Sequence, residues 1–221
     1  MKLGVLASGS GSNLQALLDA CAKGRIDARV AVVVVNVPGA RALERAQAAG
    51  VPALLLPHKG AASREAYDET VVKALREHGA ELVCLAGYMR LVSPVLLRAF
   101  QDKILNIHPS LLPAFPGLHA HRQALAAGVR LSGCTVHVVD EGLDSGPIVI
   151  QAAVPVLETD DEGALAARIL AQEHALYPRA VQLFASGRAR ISLENGKKRV
   201  RLEGLPAAGV SSLAWPPLEG D

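Results

Sequence analysis

Asn106 and His108 flank Ile107 in a short apolar run that ends at Pro109. On a strand, residues two apart project from the same face, so the amide and the imidazole point together while Ile107 goes to the other side. Pro109 has no N–H for a ladder, which leaves the pair at the strand's carboxyl end, where open α/β sheets bind ligands. An amide that donates to a developing oxyanion, beside an imidazole that moves a proton, suits acyl or formyl transfer. The bland alternative is an Asn in a turn and a His satisfied by backbone. Asp144, within the Gly-flanked stretch Asp140 to Gly146, would favour a protonated imidazole if the fold brought it to His108. Spacing does not place it there, and a turn Asp read by itself is a surface residue.

A second candidate is Ser8-Gly9-Ser10-Gly11-Ser12-Asn13, between the first strand and the first helix. A glycine-rich turn feeding a helix N-terminus presents unpaired N–H groups and the positive dipole end, which together form an anion site suited to phosphate. It is a poor dinucleotide fingerprint, because Leu14 stands where a small residue is needed and no acidic residue lies near Asn36. No Gly-Lys-Ser or Gly-Lys-Thr follows, so it is not a Walker loop. Its alternative is a plain turn in which Ser12 caps the helix. His119-x-His121 has no carboxylate or thiol at ligand spacing, and no metal is expected. Thr135 and His137 share one strand face and read as core or surface positions, with a border of the same pocket as the alternative, while Glu173, on a long helix, reads as a surface charge.

The elements that must position these residues alternate. Short apolar runs at Leu3 to Ala7, Ala31 to Val35, Val51 to Leu56, Leu82 to Ala86 and Ile104 to Ile107 suit strands covered on both faces. Between them Asn13 to Lys23, Arg41 to Ala49, Ser63 to His78 and Ser93 to Phe100 carry helical spacing, with Ser63 and Ser93 as N-caps and Pro94 at a first helical position. This alternation predicts an α/β fold with a doubly wound, mainly parallel sheet. Further along, His119 to Ala127 reads as a short helix, and Ser132 to Val139 as a strand of alternating polarity. Ile148 to Val156 is an extended run. Thr159 with Glu162 has the capping-box form and opens a helix to about Ala185. Arg188 to Arg201, with its cluster of Lys197, Lys198, Arg199 and Arg201, reads as a solvated hairpin around Asn195-Gly196. Residues 1–204 are expected to form one domain, and the Pro/Gly-rich stretch 205–221 a flexible tail.

Composition narrows the function classes. Half of the 221 residues are hydrophobic and 20% are charged, which excludes a disordered chain. Aromatics at 3% leave no base-stacking platform, and 23 basic against 21 acidic residues give +2, too little for bulk attraction to nucleic acid or anionic lipid. No apolar run approaches the length of a membrane span, and the N-terminal run is too short for a signal sequence. Cys21, Cys84 and Cys134 make neither a disulfide framework nor a Cys-x-x-Cys site and read as reduced core residues, so a cytoplasmic protein is expected.

Taken in order, Gly11-Ser12-Asn13-Leu14, Ala86-Gly87-Tyr88-Met89-Arg90, Asn106 to Pro113 and Asp140 to Pro147 resemble the folate-dependent formyltransferases, with a Rossmann-like fold. Phe115-Pro116-Gly117 with His119 to Gln123 points to the branch acting on glycinamide ribonucleotide. The similarity runs from Lys2 to about Gly187. It implies 10-formyltetrahydrofolate as co-substrate, 5-phosphoribosylglycinamide as acceptor, no metal, and a monomer or homodimer. By the family pattern Asn106, His108 and Asp144 are the catalytic trio, and Gly11, Ser12, Asn13 and Glu173 contact the acceptor. Arg64, Met89, Arg90, Leu91, Val92 and Asn106 contact the folate. Two rival readings are a formyl-folate hydrolase and a catalytically silent phospho-ligand-binding module on the same fold. The enzymes of the superfamily that act on methionyl-tRNA or a sugar nucleotide carry a further C-terminal domain, for which this chain ends too soon.

Overall fold

The computed structural model describes residues 1–204; the expected tail, 205–221, lies outside the described residues. The apolar runs form β1 (Lys2–Ala7), β2 (Arg29–Val35), β3 (Ala53–Leu55), β4 (Leu82–Leu85) and β5 (Ile104–His108). They alternate with α1 (Ser12–Ala22), α2 (Arg41–Ala48), α3 (Arg64–Glu77) and α4 (Pro94–Ala99). Then come α5 (Ala120–Ala126), β6 (Leu131–Val138), β7 (Ile148–Pro155), the long α6 (Glu162–Ala185) and the hairpin β8 (Ala189–Glu194) and β9 (Lys197–Leu202).

Seven strands form one sheet in the order β3-β2-β1-β4-β5-β6-β7. The first five pair in parallel, and β6 and β7 add antiparallel. The period of two decides which residues meet which layer. Leu3, Val5, Ala7, Val33 and Val35 pack with α1 and α6, while Leu6, Val32, Val34 and Val83 pack with α3 and α4. Gly4 is where α3 comes closest, since a Cβ there would fall 2.2 Å from Leu75 Cδ2. The chain winds outward from β1 through β2 to β3, then returns to β4 on the opposite side of β1. The order of strands thus reverses between β1 and β4, the kind of position at whose carboxyl edge open α/β sheets bind ligands. Behind it the buried Tyr177 hydroxyl lies 3.0 Å from the carbonyls of both Leu85 and Leu105, fastening α6 to β4 and β5.

Three details differ from the sequence reading. Helix α6 begins at Glu162 and is capped by Asp161, whose side chain accepts from the Ala164 N–H at 2.7 Å. Thr159 lies instead in the preceding turn, which Asp160 holds through Arg168 and the Leu157 N–H. Ser93 does occupy the N-cap of α4 but makes no side-chain cap. Strand β6 is buried along nearly its whole length rather than on alternate residues, because it lies between β5 and β7 with α6 against it. Ser63 does cap α3, accepting from the Ala66 N–H at 3.0 Å.

Candidate active site

Asn106 and His108 lie at the end of β5 on one face, as their spacing requires, and β6 places His137 opposite Asn106. The loop after β6 brings Asp144 to all three. Its Oδ2 is 3.4 Å from His108 Nδ1, and its Oδ1 is 3.4 Å from Asn106 Nδ2 and 3.5 Å from His137 Nε2. The shortest contact to this carboxylate is the Gly117 N–H, which donates to Oδ2 at 2.8 Å. His108 Nε2 faces the Phe115 carbonyl at 2.8 Å; a carbonyl only accepts, so that nitrogen carries hydrogen. Nδ1 makes the longer contact, with Asp144. His137 was read from sequence as a core or surface residue. It is buried and joins the cluster, its Nε2 lying 3.2 Å from Asn106 Nδ2.

Local backbone explains how a distant acid arrives. Asp140 accepts from the Gly142 N–H and the Ser145 hydroxyl, which curls the loop. Gly146 lets it close onto β6, since a Cβ there would meet the Val138 carbonyl oxygen at 1.8 Å. Phe115, His119 and Asp144 all take left-handed backbone, with φ of 54°, 60° and 50°. Such conformations in non-glycine residues persist where the surroundings impose them and gather at functional sites. Thr135 stands behind the pair: it donates to the Ser110 carbonyl and accepts from the Leu112 N–H, shaping the loop after His108. Burial by itself would raise the Asp144 carboxyl. The hydrogen bond from His137, the Gly117 N–H and the charges of His108 and His137 outweigh burial and lower it to about 2.

The glycine-rich turn lies at the same edge, after β1. Gly11 is the N-cap of α1 in left-handed conformation, and no side chain caps the helix, so Ser12 does not take that role. The first-turn N–H groups of α1 have no helical partner and lie at the positive end of the helix dipole. Arg45 of α2 braces the turn by donating to the Ser10 carbonyl at 2.8 Å, a contact the sequence reading missed. Asn13 reaches across to Glu173 of α6, donating to Oε2 at 2.7 Å; both are buried. Glu173 is thus no surface charge but a wall of the turn, and burial raises its carboxyl despite the Asn13 bond.

Two outcomes follow. Gly11→Ala should lower stability by about 1–3 kcal/mol in denaturant unfolding, because left-handed backbone is joined by a Cβ 2.8 Å from Ala42 Cα. An unchanged transition midpoint would show that the turn can reshape. A buried acid whose folded pKa is raised stabilises the folded state below its ordinary value and loses that contribution as pH rises. Glu173→Gln, which keeps an acceptor for Asn13, should therefore raise the melting temperature at pH 8, with the gain vanishing below about pH 4. An equal or lower melting temperature at pH 8 would contradict a penalty on the carboxylate.

The other expected ligand contacts are spread along the neighbouring loop. Met89 and Leu91, after β4, are exposed; Val92 is half-buried against the α3–α4 layer. The Arg90 guanidinium lies 4.7 Å over the Tyr67 ring. Arg64, the first residue of α3, is half-exposed and 3.8 Å from Glu65, and no contact draws it to the trio. Among the described residues no group of three or more His, Cys, Asp or Glu could hold a metal, and no helix is long and apolar enough to cross a membrane.

Residues 1–181 match the formyl transferase family. Phosphoribosylglycinamide formyltransferase of Escherichia coli is 45% identical over 191 residues, covering 86% of this chain and 90% of that one. The trifunctional purine biosynthetic protein adenosine-3 of Drosophila melanogaster is 50% identical over 196 residues, of which this chain spans only 14% of the length. The crystal structure of glycinamide ribonucleotide transformylase 1 from Symbiobacterium toebii superposes with a TM-score of 0.87 at 56% identity, covering 91% of this chain and 93% of that one. A match over so much of the chain, on the same sheet and at this identity, places it: the protein belongs to the formyl transferase family.

Proposed function

We propose that the protein transfers the formyl group of 10-formyltetrahydrofolate to the glycinamide amine of 5-phosphoribosylglycinamide, a step of de novo purine synthesis. One observation carries the reading: Asn106, His108 and Asp144 converge at the same carboxyl edge of the sheet as the Gly11-Ser12-Asn13 turn. Relatives named for this activity, at matching length and 44–45% identity in Escherichia coli and Bacillus subtilis, support it.

In this reading the first turn of α1 holds the acceptor's phosphate, with Glu173 beside it, and Arg64 with Met89 to Val92 receives the folate. The neutral amine attacks the formyl carbon and forms the new C–N bond, giving a tetrahedral intermediate. The Asn106 amide and His108 imidazole steady its oxygen, and Asp144 orients His108. The bond to the folate nitrogen then breaks as a proton passes from the attacking amine to that nitrogen, so charge and atoms balance without oxidant or metal. Both partners are small molecules and the setting is the cytoplasm.

Mixing purified protein with 10-formyltetrahydrofolate should produce deformylated folate, followed spectroscopically, only when the glycinamide acceptor is present. Formate release at the same rate without acceptor would instead identify a hydrolase. Acceptor binding without product would identify a silent binding module.

A further inference from the structure

The segment from Met89 to Val92 presents two exposed apolar side chains, Met89 at 69% and Leu91 at 60% exposure. Its backbone is nevertheless fastened at both ends by side chains from other elements. At the start, the Ser8 hydroxyl donates to Asn36 Oδ1 at 2.7 Å and accepts from the Met89 N–H at 2.9 Å, while the Ser8 N–H donates to the Gly87 carbonyl at 3.1 Å. At the end, Asp68 Oδ2 accepts from the Ser93 N–H at 2.6 Å. Midway, Arg90 lies over the ring of Tyr67, the neighbour of Asp68 on α3. Ser8, Asn36, Asp68 and Ser93 are all buried, Asp68 completely.

A fully buried carboxylate is a poor way to fill a core, because an apolar side chain of similar volume gives equal or better stability. Asp68 uses one oxygen on Ser93, and its other oxygen has no protein partner. What it supplies is a fixed place for the backbone at the end of the loop. Ser8 does the same at the beginning: its hydroxyl donates its one hydrogen to Asn36 and accepts from the Met89 N–H, which leaves it no hydrogen to donate to a ligand. An exposed apolar loop held this way costs less ordering when a flat, partly apolar ligand settles on it.

We infer that Ser8 and Asp68 are positioning residues of the formyl-donor site: they set the backbone of Met89 to Val92 for the folate without touching either substrate. The inference rests on the reading of that segment as the donor contact. It is tested with the full chain by measuring KM for each substrate, kcat, and tetrahydrofolate affinity by calorimetry. Ser8→Ala and Asp68→Ala should raise donor KM and tetrahydrofolate Kd roughly 5- to 50-fold, with acceptor KM unchanged. Asp68→Asn, which keeps an oxygen for the Ser93 N–H, and Ser8→Thr, which keeps the hydroxyl, should recover most of the donor affinity. If Asp68→Ala does not fold, Ser8→Ala and Asp68→Asn carry the comparison. Equal rises in both KM values, or a lower melting temperature with donor affinity unchanged, would overturn the positioning role. Wild-type protein that fails to bind tetrahydrofolate would overturn the donor-site reading, and this inference with it.

Discussion

Asn106→Ala and His108→Ala should each lower turnover on the order of 100- to 1,000-fold, with KM for the acceptor near the wild-type value. Both side chains stand at the end of β5 with few other duties. Asn106 Nδ2 has only long contacts, 3.2 Å to His137 and 3.4 Å to Asp144, and His108 has one short contact, with the Phe115 carbonyl, besides the 3.4 Å contact with Asp144. Neither is hydrogen-bonded to the Gly11-Ser12-Asn13 turn or to the Met89 loop. The loss therefore belongs in the chemical step, where an oxyanion donor or a proton carrier acts. Steady-state kinetics at saturating donor and acceptor measure it. The double variant should fall less than the product of the single losses, since the two groups serve one transition state. Near-normal kcat in either single variant removes that residue from the mechanism.

Asp144→Ala should cost about 100-fold in turnover or more and should lower stability as well. Its carboxylate is shared among His108, Asn106, His137 and the Gly117 N–H, so truncation leaves buried imidazoles and a backbone donor without their partner. Asp144→Asn keeps an acceptor for Gly117 but removes the charge beside His108. It should retain most of the stability while losing activity. The pH dependence has a definite sign. Asp144 is held at about 2 against an ordinary 3.8, so its contribution to stability is complete above pH 4 and disappears as pH falls toward 2. Acid unfolding of wild type should steepen in that window relative to Asp144→Asn. Identical acid titrations of the two proteins would show that the carboxylate is not stabilised in its ionised form.

Much of the frame was readable because its rules are local. Uninterrupted Val and Leu runs marked the parallel strands, Ser63 marked a cap, and Asn195-Gly196 marked the hairpin. Where two caps compete, the pattern misleads: Thr159 and Asp161 both precede α6, and it is Asp161 whose side chain accepts from the Ala164 N–H. The strand spacing of Asn106 and His108 fixed their common face. Nothing local says that Asp144 joins them from 38 residues away, and that required the family resemblance. Glu173 taken alone reads as a surface charge, and the partners of His137 are equally invisible from its own strand. Each looks like an ordinary polar residue on its own element, and each is buried by what the topology sets opposite it, Asn13 for the first and Asn106 with Asp144 for the second. Arg45 carries no local signal, and Ser8, though part of the glycine-rich turn, gives none for its hold on Met89, since the Ser10 carbonyl and the Met89 N–H that they bind lie on other segments.

The central claim is direct transfer between two substrates bound at one edge of the sheet. Donor carrying an isotopically labelled formyl carbon tests it in a single mixing experiment read by carbon NMR. The label should appear as a formamide on the acceptor's glycinamide nitrogen, one for each folate deformylated. Label collecting as free formate, with the acceptor unmodified, would contradict it.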